Sequence, residues 1–185
     1  MSASSSNAAS VVDLARVFVG MGSNIDRDAS IRAGVAELGA RFGKIDLSPV
    51  YESPAVGFDG DDFFNLVAAF ETDLSPAAVD SILHDIEQRH GRSRTGGAFA
   101  PRRLDLDLLL YGDMVQQGQS PRLPREDIER YAFVLCPLAD IAGNMRHPAT
   151  GRTFAEMWSE FSGEGTLSKI NFRWDDTPPN RRRKA

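Results

Sequence analysis

Two aspartates on one predicted strand are the residues best suited to chemistry in this chain. From Arg103 to Tyr111, leucines alternate with Asp105 and Asp107, and a period of two is typical of a half-buried strand. Both carboxylates then point the same way, with their Cα atoms roughly 6.5–7 Å apart. Two such carboxylates repel each other unless a cation lies between them. Magnesium is the expected cation, because it prefers carboxylate oxygens and also binds substrate phosphates.

The same alternation divides this strand into two faces. One face carries Leu104, Leu106, Leu108 and Leu110, and the other carries Asp105, Asp107, Leu109 and Tyr111. A solvated strand above a core is the alternative interpretation of such a pattern. A functional site is favoured because Asp is depleted in strands and because guanidinium groups, which bind phosphate with a planar fork of donors, stand just upstream. These arginines are Arg92, Arg94, Arg102 and Arg103.

Composition and charge limit the possible classes of protein. With 185 residues and 42% hydrophobic content, the chain can bury one core, so we expect a single domain over 15–172. The polar ends, 1–14 and 173–185, are expected to be disordered. A formal net charge of −5 argues against nucleic-acid or membrane-surface binding, which needs an extended basic surface.

Other features of the composition indicate a cytoplasmic protein. The single cysteine, Cys136, excludes an internal disulfide, and the three histidines lack the spacing of zinc ligands. No apolar run approaches a membrane span, and the N-terminal segment lacks the basic start and apolar core of a secretory signal. A reducing cytoplasm fits these observations.

The order of predicted elements indicates the fold. Hydrophobic periodicity and capping residues predict strand, helix, strand, strand, helix and strand over 15–22, 28–40, 44–53, 63–72, 76–90 and 103–111. This order is that of the ferredoxin-like βαββαβ core, an α+β fold with an antiparallel sheet and both helices on one face. The rest, about 112–172, forms a C-terminal extension with short helices near 125–131 and 153–161, and the apolar run 133–138 should pack onto the core.

Two polar residues allow more than one interpretation. Asn65 lies amid apolar strand residues, so either backbone neighbours satisfy its amide or the amide binds the edge of a ligand. Glu87 lies in the last turn of the second helix, where a negative charge opposes the helix dipole. Either it has a partner, such as Arg92 or a ligand, or it is a solvated carboxylate, which is the more common case.

The residues around the Asp pair resemble a known family. The stretch 101–112 is similar, nearly residue for residue, to the signature of the hydroxymethyl-dihydropterin pyrophosphokinases, which transfer pyrophosphate from ATP to a pterin alcohol. Shorter matches lie at 22–24, 48–54, 64–65, 86–87, 91–94, 131–133 and 137–138. The resemblance extends from Val17 to about Phe161, and the family's ferredoxin-like fold agrees with the predicted element order.

The resemblance implies a site for ATP as co-substrate. Asp105 and Asp107 would bind two Mg²⁺ ions that bridge its phosphates, and Arg92 and Arg102 would bind phosphate, which makes these four the implied catalytic residues. A loop over 94–101 would close over ATP and exclude water. The implied ATP contacts are Glu87, Arg92, Arg94, Phe99, Arg102 and Arg125.

The resemblance also implies a pterin site. The pterin ring would lie between Phe63 and Phe133, because a flat heterocycle gains from stacking on two aromatic faces. Asn65 and the backbone over 53–56 would bind its polar edge. The implied pterin contacts are Ser53, Pro54, Val56, Phe63, Asn65 and Phe133.

Four positions depart from the family pattern. Family members often carry Trp where this chain has Phe99 and a basic residue where it has Thr95. A family His is replaced by Arg125, and a family Arg by Tyr131. Because two phosphate-contacting groups are thereby altered, nearby arginines are expected to restore the positive charge. The candidates are Arg122, Arg125 and Arg130.

Taken with the resemblance, the sequence predicts a Mg²⁺-dependent diphosphotransferase of folate biosynthesis. It would transfer pyrophosphate from ATP to 6-hydroxymethyl-7,8-dihydropterin, release AMP and act as a monomer. A metal-dependent nucleotidyltransferase is an alternative, because an Asp pair on a sheet can also direct attack at the α-phosphorus. The other alternative is a ferredoxin-like binding module without catalysis, which would leave the Asp pair and the arginines unexplained.

Overall fold

The structure, a computed structural model, describes residues 13–57, 59–91, 102–163 and 165–174. The predicted disordered ends fall almost wholly outside these ranges, and so does the predicted loop over 94–101. Within the described ranges, no helix is long and apolar enough to cross a membrane.

Strands and helices follow in nearly the predicted order. The strands are β1 (Ala15–Ser23), β2 (Asp46–Leu47), β3 (Tyr51–Ser53), β4 (Phe63–Thr72), β5 (Asp105–Tyr111) and β6 (Ser168–Lys169), and the helices are α1 (Arg27–Phe42), α2 (Pro76–Arg89), α3 (Asp127–Arg130), α4 (Ala132–Ala142) and α5 (Phe154–Ser159). The single strand predicted over 44–53 is two short strands instead. Between them, Pro49 has no N–H to donate, and the Ser48 hydroxyl accepts from the Val67 N–H at 2.9 Å.

The strands form an antiparallel sheet in the order β5-β1-β4-β3-β6, with β2 also paired to β4. The central pair runs the full length of β1, from Ala15 opposite Thr72 to Ser23 opposite Phe64. Strand β5 lies at the edge beside β1. The prediction of mixed α and β structure around an antiparallel sheet is therefore confirmed.

Helices α1 and α2 cover one face of the sheet, which we call the helical face. Their apolar residues pack with Leu104, Leu106 and Leu108 in one buried cluster. Helix α1 comes so close at Gly34 that a Cβ atom there would lie 2.9 Å from a Leu104 methyl carbon. This face is a well-packed, mainly apolar core.

Helices α4 and α5 cover part of the opposite face, which we call the cavity face. The apolar run 133–138, predicted to pack onto the core, lies in α4 and joins a second buried cluster with Val67 and Ala69 of β4. The sequence analysis did not predict this helix, because Pro137 within it removes a backbone donor. Burial of Val134, Leu135 and Leu138 compensates for that loss, since packing supplies most helix stability in proteins.

The predicted faces of β5 are right up to Leu109 and wrong for Leu110 and Tyr111. The register with β1 shifts so that Val19 lies opposite Leu108 and Phe18 opposite Leu110. The extra residue is Leu109, and the resulting β-bulge reverses the alternation. Leu110 therefore joins Leu109 in the cluster on the cavity face, while Tyr111 packs against the cluster on the helical face.

Candidate functional site

Asp105 and Asp107 share one cavity on the cavity face. This first cavity has a volume of about 400 Å³. It lies next to the part of the sheet that α4 covers, and Phe133 and Val134 of α4 line it. Asp105 lies opposite Gly22 of β1, and Asp107 lies opposite Gly20, so neither carboxylate faces a neighbouring side chain across the strands. The other predicted site residues that line the cavity are Ser53, Pro54, Val56, Phe63, Asn65, Arg102, Arg125 and Phe133.

Each carboxylate of the pair contacts an arginine. Arg102 Nη1 lies 2.5 Å from Asp105 Oδ1, and Arg125 Nη2 lies 3.0 Å from Asp107 Oδ1. Burial and the negative charge of Asp105 raise the pKa of Asp107 to about 6, although the Arg125 charge opposes the shift. The ionised form of Asp107 is therefore disfavoured beside Asp105, and a bound cation would stabilise it.

Asn24 holds the backbone of Arg102 in place. The Arg102 N–H donates to Asn24 Oδ1 at 2.7 Å, and the Asn24 N–H donates to the Arg102 carbonyl at 3.0 Å. The Asn24 amide also donates to the Asp61 carbonyl at 3.3 Å, in the segment before β4. Sequence reasoning did not single out Asn24, although its place directly after the glycine–serine that ends β1 was a usable signal.

The opposite end of the first cavity is aromatic and amide-lined. Asn65 donates to the Ser53 hydroxyl at 2.9 Å, and both side chains are buried. The ring of Tyr131 stacks on Phe133, with centroids 5.0 Å apart and planes 16° apart. Tyr131 lines the cavity, so the departure from the family pattern supplies an aromatic surface rather than a charge.

Gly22 keeps the floor of this cavity open. A Cβ atom at this position would lie 3.5 Å from Asn65 Oδ1, 3.7 Å from a Phe63 ring carbon and 3.9 Å from Asp105 Cβ. Any longer side chain would therefore extend between the amide-lined end and the acidic end. The absence of a side chain at Gly22 leaves room there for a ligand.

A second cavity of about 620 Å³ adjoins the first. Its lining includes Asp80 and His84 from α2, Leu106 and Leu108 from β5, and Arg122. Three residues line both cavities, and they are Asp107, Arg125 and Asp127. The two cavities therefore meet at one carboxylate–guanidinium–carboxylate bridge.

Asp127 is a cavity residue that sequence reasoning missed. Its Oδ2 atom accepts from Arg125 Nε at 2.6 Å, so Arg125 contacts Asp107 and Asp127 at the same time. Its sequence position, two residues after the predicted phosphate ligand Arg125, only weakly indicated a place in the site. An acidic residue two positions from an arginine is common on solvated helices.

Glu87 is buried between α2 and β5, so its interpretation as a solvated carboxylate is wrong. The residue is 0% exposed, and its Oε1 atom accepts the Leu106 N–H at 2.9 Å. Because β5 is an edge strand, this contact satisfies a backbone donor next to the Asp pair. Glu87 is not part of the described lining of either cavity.

The other arginines have varied surroundings. Arg103 pairs with Asp26 at 2.7 Å, and the Arg130 guanidinium lies over the Tyr131 ring, 5.1 Å from its centre. Arg122 lines the second cavity. The predicted ATP contacts Arg92, Arg94 and Phe99 lie outside the described residues, as does Thr95.

The donor set of the Asp pair suits a hard cation. Carboxylate oxygens are the ligands that Mg²⁺ prefers, and Mg²⁺ usually takes only one or two of them together with substrate phosphates. In the described part of the chain, no group of three or more His, Cys, Asp or Glu side chains could hold a metal ion. The pair therefore fits a cation that shares its coordination with a phosphorylated ligand.

Known proteins similar to this chain agree with one another. A family model described as 7,8-dihydro-6-hydroxymethylpterin-pyrophosphokinase matches residues 18–143. A 2-amino-4-hydroxy-6-hydroxymethyldihydropteridine pyrophosphokinase of Aquifex aeolicus is 33% identical over 157 residues, which cover 83% of this chain and 94% of the relative. An enzyme of the same name from Pseudomonas aeruginosa is 34% identical over 154 residues, with 81% and 94% covered.

A solved structure shares the fold. The crystal structure of wild-type Plasmodium falciparum HPPK-DHPS with pterin and p-hydroxybenzoate superposes with a TM-score of 0.65 at 12% identity. The match covers 80% of this chain and 43% of that one, so this chain spans less than half of that protein. At this identity the likeness concerns the fold alone.

Proposed function

Because the chain belongs to the 7,8-dihydro-6-hydroxymethylpterin-pyrophosphokinase family, we propose that it transfers pyrophosphate from ATP to the hydroxymethyl group of 6-hydroxymethyl-7,8-dihydropterin. AMP is the second product, and the reaction is a step of folate biosynthesis. Family membership and the names of the relatives support the reaction, and the two adjoining cavities support two substrates.

The core is inferred to be ferredoxin-like. The order β1, α1, β3, β4, α2 and β5, with β5-β1-β4-β3 as neighbours in the sheet, is the order expected for a split βαβ core. In that arrangement α1 and α2 share one face. The first cavity then lies on the opposite face, where the C-terminal extension supplies the second wall, and the second cavity lies at the β5 edge between α2 and that extension.

One observation carries the assignment of the substrates. The first cavity combines aromatic rings with the Asn65 amide, and the second is lined by polar groups, but both end at Asp107 and Arg125. We assign the pterin to the first cavity and ATP to the second. The hydroxymethyl group and the phosphates then meet at the shared residues, where proximity and orientation accelerate the transfer.

The pterin contacts follow from the chemistry of the first cavity. The ring lies against Phe133, on which the Tyr131 ring stacks. The Asn65 amide and the Ser53 hydroxyl, already paired with each other, bind the polar edge of the ring. Pro54 and Val56 line the same cavity, and Phe63 lies against the opposite face of the ring, as the resemblance implies.

Asp105 and Asp107 would hold Mg²⁺, in agreement with their donor type and with the raised pKa of Asp107. When bound, the ions supply positive charge to the triphosphate. Arg102 and Arg125 then orient the phosphate oxygens and neutralise charge that spreads over them during transfer. Arg92, Arg94 and Phe99 remain proposed ATP contacts, and Glu87 a proposed support beneath the site.

The transfer itself needs alignment more than it needs a reactive side chain. The pterin hydroxyl oxygen forms a bond to the β-phosphorus, the bond from that phosphorus to the α-β bridging oxygen breaks, and AMP leaves with the bridging oxygen. The hydroxyl proton is released in the same step. The charged residues at the meeting point of the cavities therefore act by position and by electrostatic stabilisation.

The decisive experiment is product analysis with ATP, Mg²⁺ and the hydroxymethyl pterin. We expect AMP and the pyrophosphorylated pterin from the native chain, and turnover at least about a hundredfold lower in Asp107→Ala. Asp113→Ala is the matched control, because Asp113 is exposed just beyond β5. Thermal unfolding should show all three proteins folded, since removing one of two repelling charges costs little stability.

The products also separate the competing functions. Release of inorganic pyrophosphate would identify a nucleotidyltransferase. Binding of the pterin without Mg²⁺-dependent turnover would identify a binding module. Either result would contradict the proposed transfer of pyrophosphate.

We also propose that the chain acts as a monomer in the cytoplasm. The only cysteine in the sequence, Cys136, excludes an intramolecular disulfide, which fits a reducing compartment. Light scattering at the concentration of the activity assay tests the monomer, and a dimer mass would contradict it.

A further inference from the structure

Arg125 uses two different nitrogen atoms on two carboxylates. Its Nε atom donates to Asp127 Oδ2 at 2.6 Å, while its Nη2 atom lies 3.0 Å from Asp107 Oδ1. The Arg125 backbone is fixed as well, because its N–H donates to the Leu109 carbonyl at 3.0 Å. The Arg125 backbone and Nε atom are thus held in place, and the contact with the Asp pair is made by Nη2.

A bound cation and the Nη2 atom of Arg125 compete for the same oxygen atom, Asp107 Oδ1. Asp107 Oδ1 carries the contact to Nη2, and a metal ion bound by that carboxylate must replace or weaken this contact. The contact from Nε to Asp127 is made by a different nitrogen of the guanidinium and need not break. The Nη atoms, once released, are still held beside the site and can donate to a phosphate oxygen.

We propose that Asp127 is a positioning residue that holds Arg125 by its Nε atom, so that the Nη atoms exchange Asp107 for a substrate phosphate when the cation binds. This inference rests on the proposed function for the identity of the phosphate. Asp127 itself binds neither the cation nor the substrate. Its effect is to prevent Arg125 from closing on Asp107 and blocking the cation.

Two simpler roles for Asp127 make different predictions. As a third metal ligand, or as a distant negative charge, it would strengthen cation binding whether or not Arg125 is present. As a positioning residue, it acts only through Arg125. A double-mutant cycle separates these cases, because it measures whether the effect of one substitution depends on the other.

The cycle is measured as Mn²⁺ affinity without nucleotide, with free Mn²⁺ counted by its paramagnetic resonance signal. Mn²⁺ is a suitable probe because it prefers the same carboxylate ligands as Mg²⁺. Arg125→Gln should bind Mn²⁺ about fivefold more tightly, and Asp127→Asn about fivefold more weakly, each in the range of coupling expected for contacting residues. The double variant should bind Mn²⁺ like Arg125→Gln alone.

Nucleotide binding gives the second readout. α,β-Methylene-ATP cannot react, because its α-β bridge is a carbon, and both single variants should bind it less tightly than the native chain. Arg125→Lys keeps the positive charge, but its single nitrogen cannot contact Asp127 and a phosphate through separate atoms. It should therefore bind the analogue less tightly, as Asp127→Asn does. Arg125→Lys also replaces Asp127→Asn as the test variant if circular dichroism shows that Asp127→Asn does not fold.

Two control variants test whether the effect comes from net charge alone and whether a conservative substitution restores Mn²⁺ affinity. Glu129→Gln removes an exposed carboxylate from the same short helix α3 and should leave Mn²⁺ affinity unchanged. Asp127→Glu keeps a carboxylate within reach of Arg125 and should restore most of the native affinity.

Several outcomes would overturn the inference. An equal loss of Mn²⁺ affinity on Asp127→Asn in both backgrounds would make Asp127 a ligand or a distant charge. Unchanged affinity in the native background would remove any role in cation binding, and a matching loss in Glu129→Gln would reduce the effect to net charge. AMP formation by the native chain is scored separately, so failure of this cycle leaves the proposed reaction standing, and failure of the reaction leaves the cycle interpretable.

Discussion

On the helical face of the sheet, the side chains of Leu104, Leu106 and Leu108 are buried in a packed core under α1 and α2, which borders the second cavity at the β5 edge. On the cavity face, one residue away in each case, Asp105 and Asp107 border open space. The same backbone positions both sets, because successive side chains of a strand point to opposite faces. A well-packed core therefore fixes the spacing of the carboxylates without contacting them.

The same division between stability and chemistry is present in β1. In β1, Val17, Val19 and Met21 are buried on the helical face, whereas Gly20 and Gly22 line the first cavity. Substitutions on the helical face should mainly change the free energy of unfolding. Substitutions of the cavity-face residues that line the first cavity should mainly change ligand binding.

The largest expected effect compares two phenylalanines. Phe70 is fully buried and stacks on Phe42, with ring centroids 4.0 Å apart, so Phe70→Ala should lower the free energy of unfolding by about 3–5 kcal/mol. Phe133→Ala should lower it much less but weaken pterin binding by about 1–3 kcal/mol. Urea unfolding and pterin titration measure the two quantities. Equal losses of stability would abolish the distinction between the faces.

The next effect concerns the cavity floor. Gly22→Leu should weaken pterin binding about a hundredfold or more, about 2.8 kcal/mol, because its side chain extends between Asn65 and Asp105. Gly22→Ala is the matched control, since its Cβ atom would make only ordinary contacts at 3.5 Å and beyond. Both are checked by pterin titration together with a thermal melt. Unimpaired pterin binding by Gly22→Leu would place the pterin elsewhere.

Glu87 tests whether a polar residue on the helical face also serves stability. Glu87→Leu removes the acceptor of the Leu106 N–H, and a buried unsatisfied donor costs about 1–3 kcal/mol. Glu87→Gln keeps an acceptor oxygen and should retain more of the stability. Urea unfolding provides the measurement. A Glu87→Leu protein as stable as the native chain, but impaired in ATP binding, would show that Glu87 belongs to the nucleotide site.

The smallest expected effect concerns the part of the cavity face that α4 and α5 cover. It tests whether this part excludes solvent from a titratable side chain as well as the helical face does. His147 is 2% exposed, and burial lowers its pKa from 6.5, although Glu129 opposes the shift. Below pH 6.5 the unfolded chain then binds a proton that the folded chain does not, so the free energy of unfolding should fall as the pH falls. His147→Gln should remove this part of the pH dependence. An identical pH profile for both proteins would mean that the protonated ring is accommodated.

Local patterns in the sequence predicted much of this molecule. The boundaries of β4 and α2, the common face of Asp105 and Asp107, and the family signature are properties of short stretches, where a period of two or 3.6 residues reports the local conformation directly. The roles proposed for the site residues also began with residue types, since carboxylates suit cations and guanidinium groups suit phosphate.

Other features were decided by residues far apart in the chain. The β-bulge at Leu109 depends on pairing with Phe18 and Val19, and α4 forms despite Pro137 because its apolar face has a sheet to cover. The bridge from Asp107 through Arg125 to Asp127, and the meeting of two cavities there, also exist only once the segment before α3 lies against β5, where the Arg125 N–H donates to the Leu109 carbonyl. A strand period is set by the nearest neighbours along the chain, whereas burial, register and the contents of a cavity are set by whatever the fold brings against it.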